Sequence, residues 1–293
     1  MMLWNALLLA IREIRRNVMR SFLTILGIVI GVAAVIIMVT IGGGATLQVT
    51  QQIESLGSNL LHVRPGQRGR GPGGVRTTAD AFKVDDAETI AREVSGLAAV
   101  APIASKATQA IYGNENWSTM VTGSTNAYLQ VRDWPLEIGR QFAESELRAG
   151  KAVCLVGATV RKELFGGQSP LGVTIRLQKL SCQVVGVLEP KGQSSFGADQ
   201  DDFVLLPLRA VQRRIAGDTD VNSIYVSAQD GVSTERVKQD IERLLRERRR
   251  VAPGEDNDFH VNDMQELVSM MTGTTRVLTE LLGAVAAVSL LVG

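Results

Sequence analysis

The side chains able to do chemistry are few, and they do not converge. Only two histidines occur, His62 and His260, each inside a strand-like run with no CxxC or HExxH spacing nearby. Imidazoles placed that way pack or face solvent and do not assemble a zinc ligand set. Cys154 and Cys182 sit in separate strand-like runs, and nothing in the sequence brings them together, so they read as two small buried hydrophobes. No GxSxG motif and no Ser/His/Asp arrangement can be assembled. GxxxxGK[ST] is absent, so the chain is not expected to hydrolyse ATP itself. A GxGxxG spacing does occur at Gly69, Gly71 and Gly74, but Pro72 interrupts it and no helix opens after it to receive a pyrophosphate. Asp199, Asp201 and Asp202 lie close together without the Dx[DN]x[DN]G order of a calcium loop, so a solvated or hydrogen-bonded turn is expected, not a metal site. Arg246, Arg248, Arg249 and Arg250 end a helix, where cations complement the dipole, and no nucleic-acid partner is expected. An enzyme is the least supported class.

The elements that hold these residues are organised around one stretch, Phe22 to Ile41, inside a segment with no ionised side chain between Arg20 and Glu54. Twenty helical residues rise about 30 Å, the thickness of a bilayer's hydrocarbon core. Before it, Arg12, Arg15, Arg16 and Arg20 against Glu13 leave a net +3, and the residues after it carry −2 of the chain's total of +1. Basic residues flanking a span favour the cytoplasmic side, so the N-terminus is expected inside and the bulk of the chain outside. A secretory leader would have a shorter apolar region, roughly 7–15 residues, so a retained anchor is expected. With 45% apolar residues and mean hydropathy +0.11, most of the chain is not membrane-embedded. Trp4, Leu7, Leu8, Ile11, Ile14 and Val18 recur at helical spacing ahead of the span, a stripe suited to the membrane surface with Trp4 as interfacial anchor. Inside the span Gly27 and Gly31 form a GxxxG, with Thr24 and Ala34 at helical spacing, that would let another helix approach; glycine is also simply common in membrane helices. Gly42-Gly43-Gly44 is expected to relax the helix as it leaves the bilayer, with Thr46 to Ile53 extending it as a stalk.

Past the span, alternation and turn residues predict an extracytoplasmic domain. Leu60–Val63 reads as a strand, residues 65–74 as a Gly/Pro-rich mobile loop, and Asp85–Val94 as a helix capped by Asp85 with Glu88. Short strands follow at Ala99–Ile103 and Thr108–Tyr112. Residues 113–220 are mostly β, with a short helix at Arg161–Phe165 and another opened by Pro207. The polar stretch Lys191 to Asp202 leads into the apolar Phe203–Leu206. Then a strand (Ser223–Ser227), a helix capped by Ser233 and a strand (Phe259–Val261) repeat the first pattern, and Asn262 with Gln265 would cap a last helix. The expected fold is α+β and membrane-anchored. A cytoplasmic amphipathic helix spans 1–20 and a transmembrane helix 21–44. A core domain follows over 45–275, with strand–helix–strand parts at about 45–112 and 221–275 around an inserted β subdomain at 113–220. Residues 276–293, without charge from Leu281 onward, read as the start of a second membrane helix, cut short.

The chain resembles the permease part of MacB-like ABC transporters, the macrolide-export and FtsX-like family. The resemblance rests on the basic N-terminal helix with SFLTILGIVIGVAAVI, Tyr112–Ser118 (YGNENWS), Trp134–Gly139 (WPLEIG), Leu164-Phe165-Gly166 and Ser169–Gly172. It continues through Val185–Val187, the Lys191–Asp202 loop, Val221–Tyr225 and Leu281–Gly293. It implies a multi-pass protein of the bacterial cytoplasmic (inner) membrane that dimerises, with itself or with a second permease. It also implies coupling to a cytoplasmic ABC ATPase that holds ATP and Mg, a separate chain if Met1 is the start. A periplasmic adaptor and an outer-membrane channel are further partners that the family uses. The implied work is mechanical: ATP-driven motion reaches the extracytoplasmic domain and expels a drug, lipid, peptide or lipoprotein. The alternative is a non-transporting FtsX-like relative that regulates cell-wall hydrolases or signals. No cofactor is expected on this chain. The candidate residues are Trp4, Arg12, Arg15, Arg16 and Arg20 for orientation in the bilayer, and Gly27 and Gly31 for helix packing. Lys191, Phe196, Asp199, Gln200, Asp201 and Asp202 make the candidate extracytoplasmic contact loop.

Overall fold

The computed structural model describes residues 15–56, 59–68, 77–194 and 198–264, with 266, 273, 277, 280 and 281. The helix expected before residue 15, the glycine loop after Arg68 and the second membrane helix lie outside the described residues. The chain divides into two compact units, residues 1–50 with 268–293 and residues 51–267.

The first unit is dominated by helix α1 (Val18–Leu56, 39 residues). Its Val18–Gly44 portion, 27 residues containing an 18-residue window of mean hydropathy 3.0, is long and apolar enough to cross a membrane. Phe22, Leu23, Ile25, Ile30, Ile36 and Ile37 all stand exposed around it. A helix apolar on every side needs either a protein core or lipid. Thr24 and Thr40 turn their hydroxyls back onto the carbonyls of Arg20 and Ile36, at 2.9 and 2.8 Å, which spares two polar groups from an apolar surrounding. The expected relaxation at Gly42–Gly44 does not occur, and the helix runs on to Leu56. Glycine costs a helix about 1 kcal/mol relative to alanine. Breaking the ladder beside lipid would leave amides and carbonyls unpaired at several kcal/mol each, so continuity wins.

In the second unit ten strands form one hydrogen-bonded system. One part is a four-stranded antiparallel sheet in the order β12 (Phe259–Asp263), β1 (Leu60–Pro65), β11 (Ser223–Ala228) and β4 (Leu97–Tyr112). Helices α2 (Val84–Glu93) and α7 (Thr234–Arg249) cover one face. Ala87, Ile90, Val237, Ile241 and Leu245 meet Leu61, Val63, Ile224, Val226 and Phe259 there in a closed apolar core. Two split strand–helix–strand units, β1-α2-β4 and β11-α7-β12, interleave to give this order, a ferredoxin-like arrangement. A short ladder, β2 (Gln67–Arg68) with β3 (Thr77–Thr78), brackets the glycine loop. The cap of α2 is two residues off the expectation: Lys83 is the N-cap, and its N–H donates to the Asp86 carboxylate at 2.8 Å, so Asp85 and Glu88 are not the capping pair. Asn262 lies within β12, not at a helix start, and its expected partner Gln265 is outside the described residues.

The two short strands expected at 99–103 and 108–112 are one strand of 16 residues. The polar step Ser105-Lys106 contains no Gly or Pro to break it, and the partners change along it. Residues up to Ile103 pair with β11, and Ala104 to Tyr112 pair with β5 (Glu115–Ser124). From there the strands β4, β5, β10 (Phe203–Pro207), β7 (Val153–Val156), β9 (Leu180–Leu188) and β8 (Thr174–Leu177) pair in a ring that closes where β8 returns to β4. A closed ring leaves no bare edge. Its interior holds Val121, Val156, Ile175, Val184, Val204 and Leu206. Val160 and Leu164 of α5 (Ala158–Phe165) join this core, as do Leu208 and Val211 of α6 (Leu208–Val211), which continues as a π-helical turn to Ala216. Helix α5 begins three residues before the expected Arg161. Gly123 permits the approach of α6, since a Cβ there would stand 2.6 Å from that of Val211.

Cys154 and Cys182 are not two separate hydrophobes. They lie fully buried in this interior and form a disulfide, with Cα atoms 5.9 Å apart. Strands β7 and β9 are parallel neighbours in the ring, which places the two Cβ atoms together although 28 positions separate them in the chain.

Candidate functional site

The candidate loop leaves β9 and enters β10, and its three acids all accept hydrogen bonds from the protein. Asp201, 4% exposed, accepts the backbone N–H of Lys191 on one oxygen and that of Gly192 on the other, both at 2.8 Å. Asp199 accepts the Asp201 N–H at 2.8 Å and the Thr159 hydroxyl at 2.6 Å. Asp202 accepts the indole N–H of Trp117 at 2.9 Å. Charge-assisted bonds of this kind are about twice as strong as neutral ones. They fasten the two legs to each other, to α5 and to β5. Higher up, Ser194 N–H donates to Ala198 O at 2.7 Å, so the legs stay paired as far as these two residues. Phe196 lies outside the described residues. Among the described residues no group of three or more His, Cys, Asp or Glu could hold a metal.

The foot of the loop rests on a cation–aromatic stack. The Lys191 ammonium donates to Arg132 O at 2.6 Å and stands 5.1 Å from the Trp134 ring centroid. Burial, with the Arg132 charge second, pushes its pKa down to about 8. The Arg132 guanidinium lies 5.2 Å from the Trp134 ring and 6.0 Å from that of Tyr225, and donates to Gln200 Oε1 at 3.2 Å. Trp134 donates its indole N–H to Glu189 O at 2.7 Å. One guanidinium thus joins the loop, through Gln200, to strand β11, through Tyr225. His62 sits edge-on to the same Tyr225 ring at 4.7 Å, and burial holds its pKa near 4, so its imidazole is neutral at ordinary pH. Its Nε2 has no hydrogen-bond partner among the described residues, so no acid–base pair is built on it. A cleft of about 630 Å³ opens nearby among α2, α3 (Ala127–Val131), α4 (Glu144–Ala149) and α6, with Ala87, Val100, Gln130, Leu147 and Arg209 in its walls.

These elements match the model for the MacB-like periplasmic core domain over residues 21–244. The chain belongs to that family. Its relatives include the "Macrolide export ATP-binding/permease protein MacB" of Rhodospirillum rubrum, 40% identical over 99% of this chain and 43% of the relative. The protein of the same description from Syntrophobacter fumaroxidans is 33% identical over 97% of this chain and 47% of the relative. The chain spans less than half the length of the curated relatives it matches. Among solved structures, the periplasmic region of MacB from Actinobacillus actinomycetemcomitans superposes with a TM-score of 0.61 at 22% identity, over 76% of this chain and 97% of that one. The extracellular domain of the noncanonic ABC-type transporter YknZ from Gram-positive bacteria gives 0.56 at 19% identity, over 70% of this chain and all of that one. Both share the fold.

Within this MacB-like core the structure gathers Lys191, Asp199, Gln200, Asp201 and Asp202 at one loop. The orientation and packing residues belong to the other compact unit. Trp4 and Arg12 lie outside the described residues; Arg15, Arg16 and Arg20 are exposed at the start of α1. A Cβ added at Gly27 or Gly31 would meet nothing within 4 Å. Sequence reasoning missed Arg132, Tyr225 and Thr159 as parts of the loop's support. Trp134 carried a signal, as the first residue of WPLEIG, but no pattern linked it to Lys191. The arginines that end α7 are committed within the fold: Arg248 pairs with Asp85 and Asp86, Arg249 with Asp258 at 2.7 Å, and Arg246 donates to Ala252 O at 2.9 Å.

Proposed function

We propose that this chain is part of the permease of an ABC-type export system, in the bacterial cytoplasmic membrane with the residues before its apolar helix inside. The observation that carries the reading is one unbroken helix, apolar over a membrane's width, followed four residues on by the first strand of a MacB-like core domain. A helix of that length is about 58 Å long, roughly twice the hydrocarbon core, and would carry a displacement beyond the bilayer along its own axis. A cytoplasmic ATPase holding ATP and Mg would supply the motion, and the core domain would expel the substrate outward. Gly27 and Gly31 would face a neighbouring helix of a second permease, with Trp4, Arg12, Arg15, Arg16 and Arg20 setting the depth and orientation of the N-terminal segment. The Lys191–Asp202 loop, Phe196 included, would meet a periplasmic adaptor leading to an outer-membrane channel.

Affinity capture of the full-length protein from membranes tests this. A cytoplasmic ATPase encoded alongside is the expected companion. Cysteine labelling that placed residues 45–275 in the cytoplasm would sink the proposal, and capture of a cell-wall hydrolase activator in place of an adaptor would favour the FtsX-like alternative.

A further inference from the structure

The Cys154–Cys182 bond lies where no enzyme can reach it in the folded chain. Both side chains are fully buried among Val156, Ile175, Val184 and Val204, inside a ring of strands whose closure depends on Ala110 pairing with Leu177. Thiol–disulfide exchange requires a thiolate to approach a sulfur directly, which the closed ring prevents. The local order of elements offers an earlier opportunity. All the chain between the two cysteines belongs to β7, α5, β8, the start of β9 and their connections. Strand β10, which completes β7's other side and joins it to β5, comes later in sequence.

We propose that the bond is installed by a disulfide-bearing thiol oxidase of the extracytoplasmic compartment before the ring closes, and is then sealed from thiol reductants. One cysteine thiolate attacks the oxidase disulfide, forming a mixed disulfide and releasing one oxidase thiolate. The second cysteine thiolate attacks its partner's sulfur, forming Cys154–Cys182 and expelling the other oxidase thiolate. Two electrons pass to the oxidase, whose disulfide becomes a dithiol that takes up the two protons. The proposal rests on the extracytoplasmic placement argued above, since such bonds form and persist in oxidising compartments.

The test uses the full chain in cells. Thiols are trapped by acid, and the denatured protein is treated with a maleimide–polyethylene glycol. The expected result is no shift unless the denatured chain is first reduced, and then a shift by two adducts, one for each cysteine. Membranes incubated with dithiothreitol before trapping should keep the bond while the denatured chain loses it. Cells lacking the dithiol oxidase should yield the doubly labelled chain. Labelling without reduction in oxidase-competent cells, or equal loss of the bond from native and denatured chains, overturns the inference. A Glu115→Cys chain probed with a membrane-impermeant maleimide separates the two readings. If that site labels from outside while the native thiols are reduced, only the disulfide proposal fails; if it labels only after lysis, the topology fails.

Discussion

Replacing Asp201 with alanine should free the contact loop from its base. The carboxylate is 4% exposed and holds two backbone N–H groups at 2.8 Å, one from each of two successive residues at the start of the loop. Hydrogen bonds to a charged group contribute about 1.5–3 kcal/mol each. Two of them near the surface, where water can reach Lys191 and Gly192 after relaxation, put the cost at the low end of their sum, about 3 kcal/mol. Asp201→Asn keeps one acceptor and turns an amide N–H₂ toward a donor, so it should lose roughly half as much, about 1.5 kcal/mol. For a domain of this size each kcal/mol lowers Tm by about 2–4 °C, giving drops of about 6–12 °C for alanine and 3–6 °C for asparagine. Thermal unfolding of the detergent-solubilised chain measures the first quantity. Tryptic cleavage after Lys191 measures the second, because the Gly192 N–H is fixed only through Asp201 and the bond should be cut faster in both variants. An alanine variant with the wild-type Tm and the wild-type cleavage rate would show that the carboxylate does not hold the loop.

Acid should act on the core domain in two stages. His62 has a folded pKa near 4 against a usual 6.5, so the folded state refuses a proton that the unfolded state accepts. Stability is full above pH 6.5 and falls as pH drops toward 4, by at most about 3 kcal/mol, and His62→Phe should flatten that limb of urea midpoint against pH. Glu146 is held near pKa 2, first by its paired hydrogen bonds with Arg140 at 2.8 and 2.9 Å, and its contribution, present above pH 4.5, should fade between 4.5 and 2. Because Arg140 is half exposed, about 1–2 kcal/mol is expected, and Arg140→Ala should remove most of this lower limb. In the membrane segment, Gly31→Leu should weaken self-association in detergent by tenfold or more, about 1.4 kcal/mol. An unchanged dimer population by light scattering would remove the packing role from that residue.

Elements with continuous or alternating apolar patterns were legible from composition alone. The stretch from Phe22 to Ile41 could be little else, and the buried runs of β7 and β10 stand between clear turn residues. Caps were legible unevenly: Ser233 caps α7 as expected, but the α2 cap lies two residues earlier, where Phe82 bridges to Val221 and Asp86, not Glu88, reaches back to Lys83. Pairing was not legible. Nothing local in Val153–Val156 or Leu180–Leu188 says that these strands lie side by side and parallel, so the disulfide could not be read. The loop's acids were read correctly as hydrogen-bonded turn residues. Their partners Thr159 and Trp117 arrive from α5 and β5, 40 and 85 positions away, and such distances carry no periodic signal. Arg132 looks like any polar helix end until Tyr225 and Trp134 are folded against it.

The two parts of the core domain are joined in a way that bears on how force would cross it. The chain passes from the sheet to the ring within β4, near Ile103 and Ser105, and returns near Val221 and Asn222. These crossings are bound to each other: Asn222 N–H donates to Ile103 O at 2.7 Å, and its side-chain oxygen accepts Ser105 N–H at 2.7 Å. Lys83 and Asp220 pair beside them. Both covalent connections therefore run through one narrow seam, and neither is a flexible linker. Pulling the parts directly away from each other would have to break strand ladders on both sides of β4. Rocking about the seam would strain few backbone bonds, and would be opposed mainly by side-chain packing of Tyr128, Trp134 and Phe203 against Ala101, Ile103 and Tyr225. The cleft among α2, α3, α4 and α6 is space that such rocking could open or close. If α1 does deliver motion to this domain, the seam favours rotation over extension, and the Arg132 stack is the contact through which the Lys191–Asp202 loop would feel it.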